Sequence, residues 1–106
     1  MESELQSIVD RNVVSRTELE KAVITYFAKK CIEEKDIWGT EIKPKEFAEA
    51  FDQYKRNEVF GTLMYLSDSG IIKRNHDRSA YRPCNLIRLI CREYLRDRPE
   101  IVNVSI

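Results

Sequence analysis

Three cysteines and one histidine are the side chains in this sequence best suited to metal binding or nucleophilic chemistry. Cys31, Cys84 and Cys91 are widely spaced without a C-x-x-C pair, and His76 is the sole histidine. A zinc site would need distant positions to converge, and an odd number of cysteines argues against a disulfide framework. We therefore expect two buried thiols and one at a helix flank, no metal, no cofactor, and a reducing, cytoplasmic compartment.

Spacings typical of enzymes do not occur in the chain. His76 is next to Asp77 in a predicted turn, where an exposed histidine is ordinary. The acidic pairs Glu33-Glu34 and Glu46/Glu49 have the spacing of helix surfaces. No Ser/His/Asp, Cys/His or P-loop pattern is present. The sequence predicts a protein that is not an enzyme and has no catalytic residues.

Charge is distributed unevenly along the 106 residues, although the net charge is zero. Residues 1–53 carry 8 Lys and Arg against 12 Asp and Glu, and residues 54–106 carry 10 against 6. A nucleic-acid surface needs only a local positive field, so the second half is the candidate for an anionic partner. A solvated charged face would show the same asymmetry. So would association of the basic end of one copy with the acidic end of another.

The length and composition indicate one domain, residues 1–106, that is dominated by helices. Hydrophobic residues make up 42% of the chain and recur at helical spacing. No run approaches the roughly 20 apolar residues of a membrane span. The N-terminus also lacks the apolar run of a secretory signal.

Caps and breakers predict five helices and a β-hairpin. Ser15 and Glu18 fit a capping box, Pro44 suits the first position of a helix, and Gly70 suits the position after one. Asn85 is a suitable cap for the last helix. The predicted helices cover residues 1–12, 44–51, 55–69 and 86–97, and one more runs from that capping box to residue 34. The predicted strands cover residues 71–74 and 80–82, with a further short strand at 41–43.

Apolar stripes on these helices predict which side chains pack into the core. Pro83 is expected to stop the second strand of the hairpin. The predicted inward residues of the last two helices are Val59, Phe60, Leu63, Met64 and Leu66, followed by Leu86, Ile87, Leu89, Ile90, Tyr94 and Leu95.

The segment FAEAFDQYKRNEVFGTLMYLSDSGIIKR, Phe47 to Arg74, resembles the winged helix-turn-helix family. In that family the second helix of a pair carries a Val, an apolar residue one turn on and a Leu seven after the Val, followed by a Gly and two aliphatic residues. The matching positions are Val59, Leu63, Leu66, Gly70, Ile71 and Ile72. The resemblance implies a mainly α fold with a small β-hairpin (α+β), a winged-helix core at about 16–82 and an extension helix at about 86–97.

The resemblance also implies a transcriptional regulator that binds double-stranded DNA. Lys55 and Arg56 would contact phosphates, Asn57 would pair with adenine, and Thr62 and Tyr65 would reach a sugar or base. The predicted wing would lie against a minor groove or backbone with four cations, Lys73, Arg74, Arg78 and Arg82. Many members of the family dimerise through added helices, so a homodimer through residues 86–95 is expected.

Other features favour a protein partner. Glu58 and Asp68 fall on the outward side of the same helix and would repel phosphates. Gly61 in mid-helix indicates close approach of another backbone, from DNA or protein. The alternative is therefore a winged-helix adaptor or inhibitor with an exposed apolar patch around Trp38 or Tyr65. A basic stripe for a nucleic-acid backbone or an acidic partner is formed by Arg88, Arg92 and Arg96.

Overall fold

The computed structural model describes residues 2–13, 17–96 and 98. They form helices and one two-stranded antiparallel sheet, so the predicted mainly helical α+β class is confirmed. No helix in these ranges combines the length and apolarity needed to cross a membrane. The elements are α1 (Glu2–Asn12), α2 (Glu18–Glu33), α3 (Pro44–Ala50), α4 (Arg56–Asp68), β1 (Ile72–Arg74), β2 (Tyr81–Pro83) and α5 (Asn85–Arg96).

The start of α2 lies two residues later than predicted. Thr17 is the N-cap: its hydroxyl accepts a hydrogen bond from the Glu20 N–H at 3.1 Å, and Glu20 Oε1 accepts one from the Thr17 N–H at 2.9 Å. Glu18 is already helical, so the box predicted for Ser15 and Glu18 is wrong, and Ser15 itself lies outside the described residues. Two overlapping patterns satisfy the capping-box spacing, and the spacing does not choose between them.

Gly70 ends α4 as predicted. It has a φ of 77°, the Ile71 N–H donates to the Leu66 carbonyl at 2.9 Å, and the Gly70 N–H donates to the Ser67 carbonyl at 3.1 Å. These two bonds form a Schellman motif, which satisfies the last carbonyls of the helix. The chain therefore reverses within two residues and enters β1 directly. Lys35 occupies the corresponding position after α2 with a φ of 56°.

The start of α5 differs from the prediction by one residue. The Arg88 N–H donates to the Cys84 carbonyl at 3.1 Å, so Asn85 is the first helical residue and not the cap. The Asn85 Oδ1 accepts a hydrogen bond from Arg88 instead. Pro83 is the last residue of β2 and lies opposite Ile72, at a position where the ladder needs no N–H, and the next N–H, that of Cys84, donates to the Ile71 carbonyl at 3.2 Å.

A single residue joins the loop before α3 to the hairpin. The Ile42 N–H donates to the Tyr81 carbonyl at 3.0 Å, and the Tyr81 N–H donates to the Ile42 carbonyl at 2.9 Å. The strand predicted at 41–43 is thus reduced to one antiparallel bridge. This bridge places the loop at residues 36–41 along the outer side of β2.

All five helices contribute to one hydrophobic core, including the two outside the predicted core at 16–82. Helix α5 packs against α1 and α2, and Phe47 contacts Phe27, Tyr26 and Tyr81 at ring-centroid distances of 5.6–6.3 Å. A homodimer through residues 86–95 must use other side chains than Ile87, Ile90 and Tyr94, because these are buried within the chain.

Two side chains assigned to inward stripes face solvent. Met64 is 60% exposed and Leu89 is 44% exposed, while Phe60 is half-buried. Helix α4 buries only the i, i+4, i+7 row of Val59, Leu63 and Leu66. Met64 follows Leu63 directly in the sequence, so its side chain points away from this row and lies outside the buried stripe.

The cysteines are distributed as predicted: Cys31 and Cys91 are buried and Cys84 is half-buried beside α5. The hydrogen bond with Cys31, together with burial, raises the pKa of the Cys91 thiol above its ordinary value. The thiolate is the reactive form, so both burial and the raised pKa make Cys91 inert.

We expect Cys84 to react with a water-soluble disulfide reagent about tenfold or more faster than the two buried thiols in the folded protein. In denaturant all three thiols should react alike, and Cys84→Ser should remove the fast phase. Rapid release of three equivalents from the native protein would contradict the burial of Cys31 and Cys91.

Candidate nucleic-acid interface

Lys55, Arg56 and Asn57 lie at the exposed N-terminus of α4. Lys55 is the N-cap residue, in extended conformation (φ −68°, ψ 145°), and its N–H donates to Glu58 Oε1 at 3.3 Å. All three side chains are exposed. Neither Lys55 nor Arg56 has an ion pair within the described part of the chain. The two cations therefore add to the positive end of the helix dipole.

The exposed face continues along α4 through Gly61, Thr62 and Tyr65. Thr62 is half-buried and its hydroxyl donates to the Glu58 carbonyl at 2.9 Å, whereas Tyr65 is 49% exposed. A Cβ on Gly61 would meet nothing within 4 Å. Packing within the described chain therefore does not require glycine at this position.

The first turn of α2 borders this face, which the sequence did not indicate. An open groove between the two helices is lined by Glu18 and Glu20 on one side and by Asn57, Glu58 and Thr62 on the other. Two of the three carboxylates are bonded to helix starts, Glu20 at Thr17 and Glu58 at Lys55. Their negative charge disfavours phosphate along this groove, and the Glu58 carboxylate lies in the first turn of α4 beside Lys55.

The turn of the hairpin is held by its own side chains. Asn75 Oδ1 accepts hydrogen bonds from the N–H groups of Ser79 at 2.9 Å and Ala80 at 3.2 Å. The hydroxyl of Ser79 donates to the carboxylate of Asp77 at 2.6 Å, which lowers the pKa of that carboxyl. His76 is exposed in this turn. The turn is therefore ordered by the polar side chains of Asn75, Asp77 and Ser79 and not by burial.

The four cations predicted on the wing have different surroundings. Lys73 and Arg78 are exposed, and Arg78 occupies the left-handed region with a φ of 63°. Arg74 is also exposed, but its Nη1 donates to the Arg78 carbonyl at 2.9 Å and its guanidinium lies 5.0 Å from the centre of the Tyr81 ring. Arg74 thus braces the hairpin, while Lys73 and Arg78 extend into solvent.

Arg82 is half-buried and turned toward the loop before α3. Its Nη2 donates to the Trp38 carbonyl at 3.1 Å, and its Nε lies 4.0 Å from Glu41 Oε2, within ion-pair distance but without a hydrogen bond. Arg82 lies directly opposite Lys73 in the β1–β2 pairing and shares its face of the hairpin, but the Arg82 guanidinium is bound by the loop before α3.

Trp38 forms a second cationic surface with α5, which sequence reasoning did not connect. The guanidinium carbons of Arg88 and Arg92 lie 4.4 Å and 5.5 Å from the centre of its ring. The i, i+4 spacing of the arginines was visible in the sequence, but their meeting with Trp38 is a long-range contact. Asp36 fixes the loop, because its Oδ1 accepts the N–H groups of Trp38 and Gly39 at 2.9 Å and 2.8 Å.

The part of the chain that the structure describes contains no group of three or more His, Cys, Asp and Glu side chains arranged to hold a metal ion. Comparisons with protein-family models, curated proteins and solved structures find no match for this chain.

We expect Asp36→Ala to lower the free energy of unfolding by about 1–2 kcal/mol at neutral pH, because two backbone N–H groups lose their acceptor. The bonds from Gly39 and Trp38 lower the pKa of Asp36 below 3.8, so its stabilisation is present above that pH and is lost as the pH falls through the folded value. The free energies of unfolding of the two proteins, measured by urea titration, should therefore converge as the pH falls through the lowered pKa of Asp36. Asp52→Ala, which removes an exposed acid, is the control, and equal stability of Asp36→Ala and the parent at pH 7 would contradict this role.

Proposed function

We propose that this chain is a winged helix-turn-helix domain that binds double-stranded DNA as a transcriptional regulator. Two features of the fold support the proposal. The elements follow in the order α2, the bridge at Ile42, α3, α4 and the hairpin, which is the order of the resemblance. The Ile42 bridge also joins the segment before the helix pair to the hairpin, so that helices and hairpin form one body.

The observation that carries the proposal is a set of exposed cations on α4 and the hairpin that have no ion pair among the described residues. Such cations release counterions when they meet phosphates, which is the main source of affinity for DNA. Asn57, which follows Lys55 and Arg56 directly, is an exposed polar side chain suited to a base edge. The set comprises Lys55, Arg56, Lys73 and Arg78.

In this proposal the N-terminus of α4 enters the major groove. Arg56 and Lys55 hold the backbone there, where the helix dipole also favours phosphate. Asn57, one residue further on, is exposed and presents the amide that pairs bidentately with adenine. Lys73 and Arg78 contact the adjacent backbone from the hairpin. Arg74 and Arg82 contribute by holding the hairpin and the neighbouring loop in place.

We expect Arg78→Gly to weaken binding to a random DNA duplex and to reduce the slope of log K against log salt by about 0.9, the value for one phosphate contact. Glycine suits the positive φ at residue 78, so the turn is retained. Fluorescence anisotropy of a labelled duplex at several salt concentrations measures both quantities.

Lys35→Gly is the matched control for this variant. Lys35 is also exposed and also has a positive φ, but it lies after α2 and away from the proposed interface. It should leave the affinity and the salt slope unchanged. Equal losses in the two variants would show a general effect of charge, and no binding of the parent protein at low salt would overturn the proposal.

We expect Gly61→Ala to raise the free energy of unfolding by about 1 kcal/mol, because alanine is the better helix former and the added Cβ meets nothing. The same methyl group should weaken DNA binding if the face of α4 meets the duplex closely. Thermal denaturation and anisotropy test the two effects separately. Met64→Ala, an exposed change outside the groove, should leave the affinity unchanged, and undiminished affinity of Gly61→Ala would remove Gly61 from the interface.

A protein-interaction module without DNA binding is the alternative. The exposed side chains of Met64 and Tyr65 on α4 favour it, because a large apolar surface on the same helix suits a protein partner. Failure to bind any duplex at low salt would select this alternative.

A further inference from the structure

We propose that the surface formed by Trp38, Arg88, Leu89 and Arg92, termed the Trp38 surface, binds an acidic amphipathic segment of a partner protein. This surface is distinct from the cations assigned to DNA, so the proposal does not depend on the proposed function. Three features support it, namely the fixed position of Trp38, the charge of the two arginines and the exposure of Leu89.

Trp38 is held in place although it is 43% exposed. Its N–H donates to Asp36 Oδ1 at 2.9 Å, its carbonyl accepts from Arg82 at 3.1 Å, and its ring packs against Arg88. Gly39 is needed beside it, because a Cβ there would lie 2.8 Å from Asp36 Oδ2. A rigid exposed tryptophan loses little conformational entropy when a partner covers it.

Arg88 brings a fixed positive charge to the ring of Trp38. Its Nε donates to the Ile37 carbonyl at 3.3 Å, its Nη2 to the Pro83 carbonyl at 2.9 Å and its Nη1 to Asn85 Oδ1 at 3.0 Å. All three acceptors are neutral, and no carboxylate pairs with Arg88 among residues 2–13, 17–96 and 98. Its charge is therefore not neutralised by an acid, and Arg88 contributes a positive field at a fixed position beside Trp38, while the exposed Arg92 is the residue free to contact a carboxylate.

Arg92 and Leu89 determine the pattern that the partner must carry. Arg92 is exposed one helical turn beyond Arg88, at a rise of about 6 Å, which matches two carboxylates at i, i+4 on a partner helix. Leu89 lies next to this pair and is 44% exposed. A segment with paired acids and an adjacent apolar side chain would cover all of these groups.

The same observations favour a protein over a nucleic acid or a second copy of this face. Leu89 offers an aliphatic contact that suits an apolar side chain, and Trp38 is the one ring among these four residues on which a base could stack, whereas binding of a single strand uses several rings in succession. A two-fold pairing of this face with itself would bring Arg88 and Arg92 of both copies together, and like charges in an interface are unfavourable.

The test uses an amphipathic helical peptide with glutamates at i, i+4 beside a leucine, and a version with lysines in place of the glutamates. Trp38 is the sole tryptophan, so its emission reports directly on this surface. The acidic peptide should cause a saturable blue shift that weakens with salt, and the lysine peptide should cause none. Arg92→Glu should weaken binding of the acidic peptide by about tenfold or more, and Arg56→Glu, the matched control on α4, should leave it unchanged.

The proposal is overturned if no saturable shift occurs, if both peptides bind equally, or if the two charge reversals have equal effects. A larger shift with oligothymidylate than with the acidic peptide would assign the surface to single-stranded nucleic acid, and a shift that depends on protein concentration alone would assign it to self-association. Circular dichroism of each variant confirms that it is folded before the comparison is made.

Discussion

The pairing of Tyr81 with Ile42 is the contact on which the placement of both candidate surfaces depends. The backbone of Tyr81 bonds to Ile42 in both directions, and its buried ring contacts Phe47 of α3 at 6.3 Å. Because side chains alternate along a strand, burial of Tyr81 directs Arg82 to the opposite side, where it reaches the Trp38 carbonyl. One buried residue thus anchors the hairpin to the helices and orients the loop that carries Trp38.

The cations of the second half of the chain fall into two groups with different roles. Arg74, Arg82 and Arg88 donate to backbone carbonyls and so hold the hairpin, the loop and the start of α5 in place. Lys73 and Arg78 point into solvent, where a phosphate or carboxylate can reach them. Equal formal charge therefore does not mean equal availability, because a guanidinium that is bound by carbonyls is also fixed in position.

Helix α5 links the stability of the domain to its surface chemistry. Its buried row, Ile87, Ile90, Cys91 and Tyr94, packs on α1 and α2, and Glu93 pairs with Arg11 of α1 at 2.8 Å. The same packing leaves Leu89 and Arg92 on the outside. A helix that sequence reasoning treated as an extension is therefore part of the core, and its outer face is rigid enough to serve as a binding surface.

The helices, the hairpin and the end of α4 at Gly70 were predictable from the sequence, because caps, breakers and apolar periodicity act over a few neighbouring residues. The capping box was misplaced by two residues because two overlapping local patterns had the same spacing. Met64 and Leu89 were wrongly assigned to the core because periodicity does not define the width of the buried stripe. The cationic residue types and their concentration in the second half were also evident. The groups that these cations contact were not evident from the sequence. Arg88 bonds to a carbonyl 51 residues away, and α2 brings Glu18 and Glu20 beside α4. Only tertiary packing decides which charges meet a carbonyl, an acid or water, because those contacts join segments that are remote in the chain.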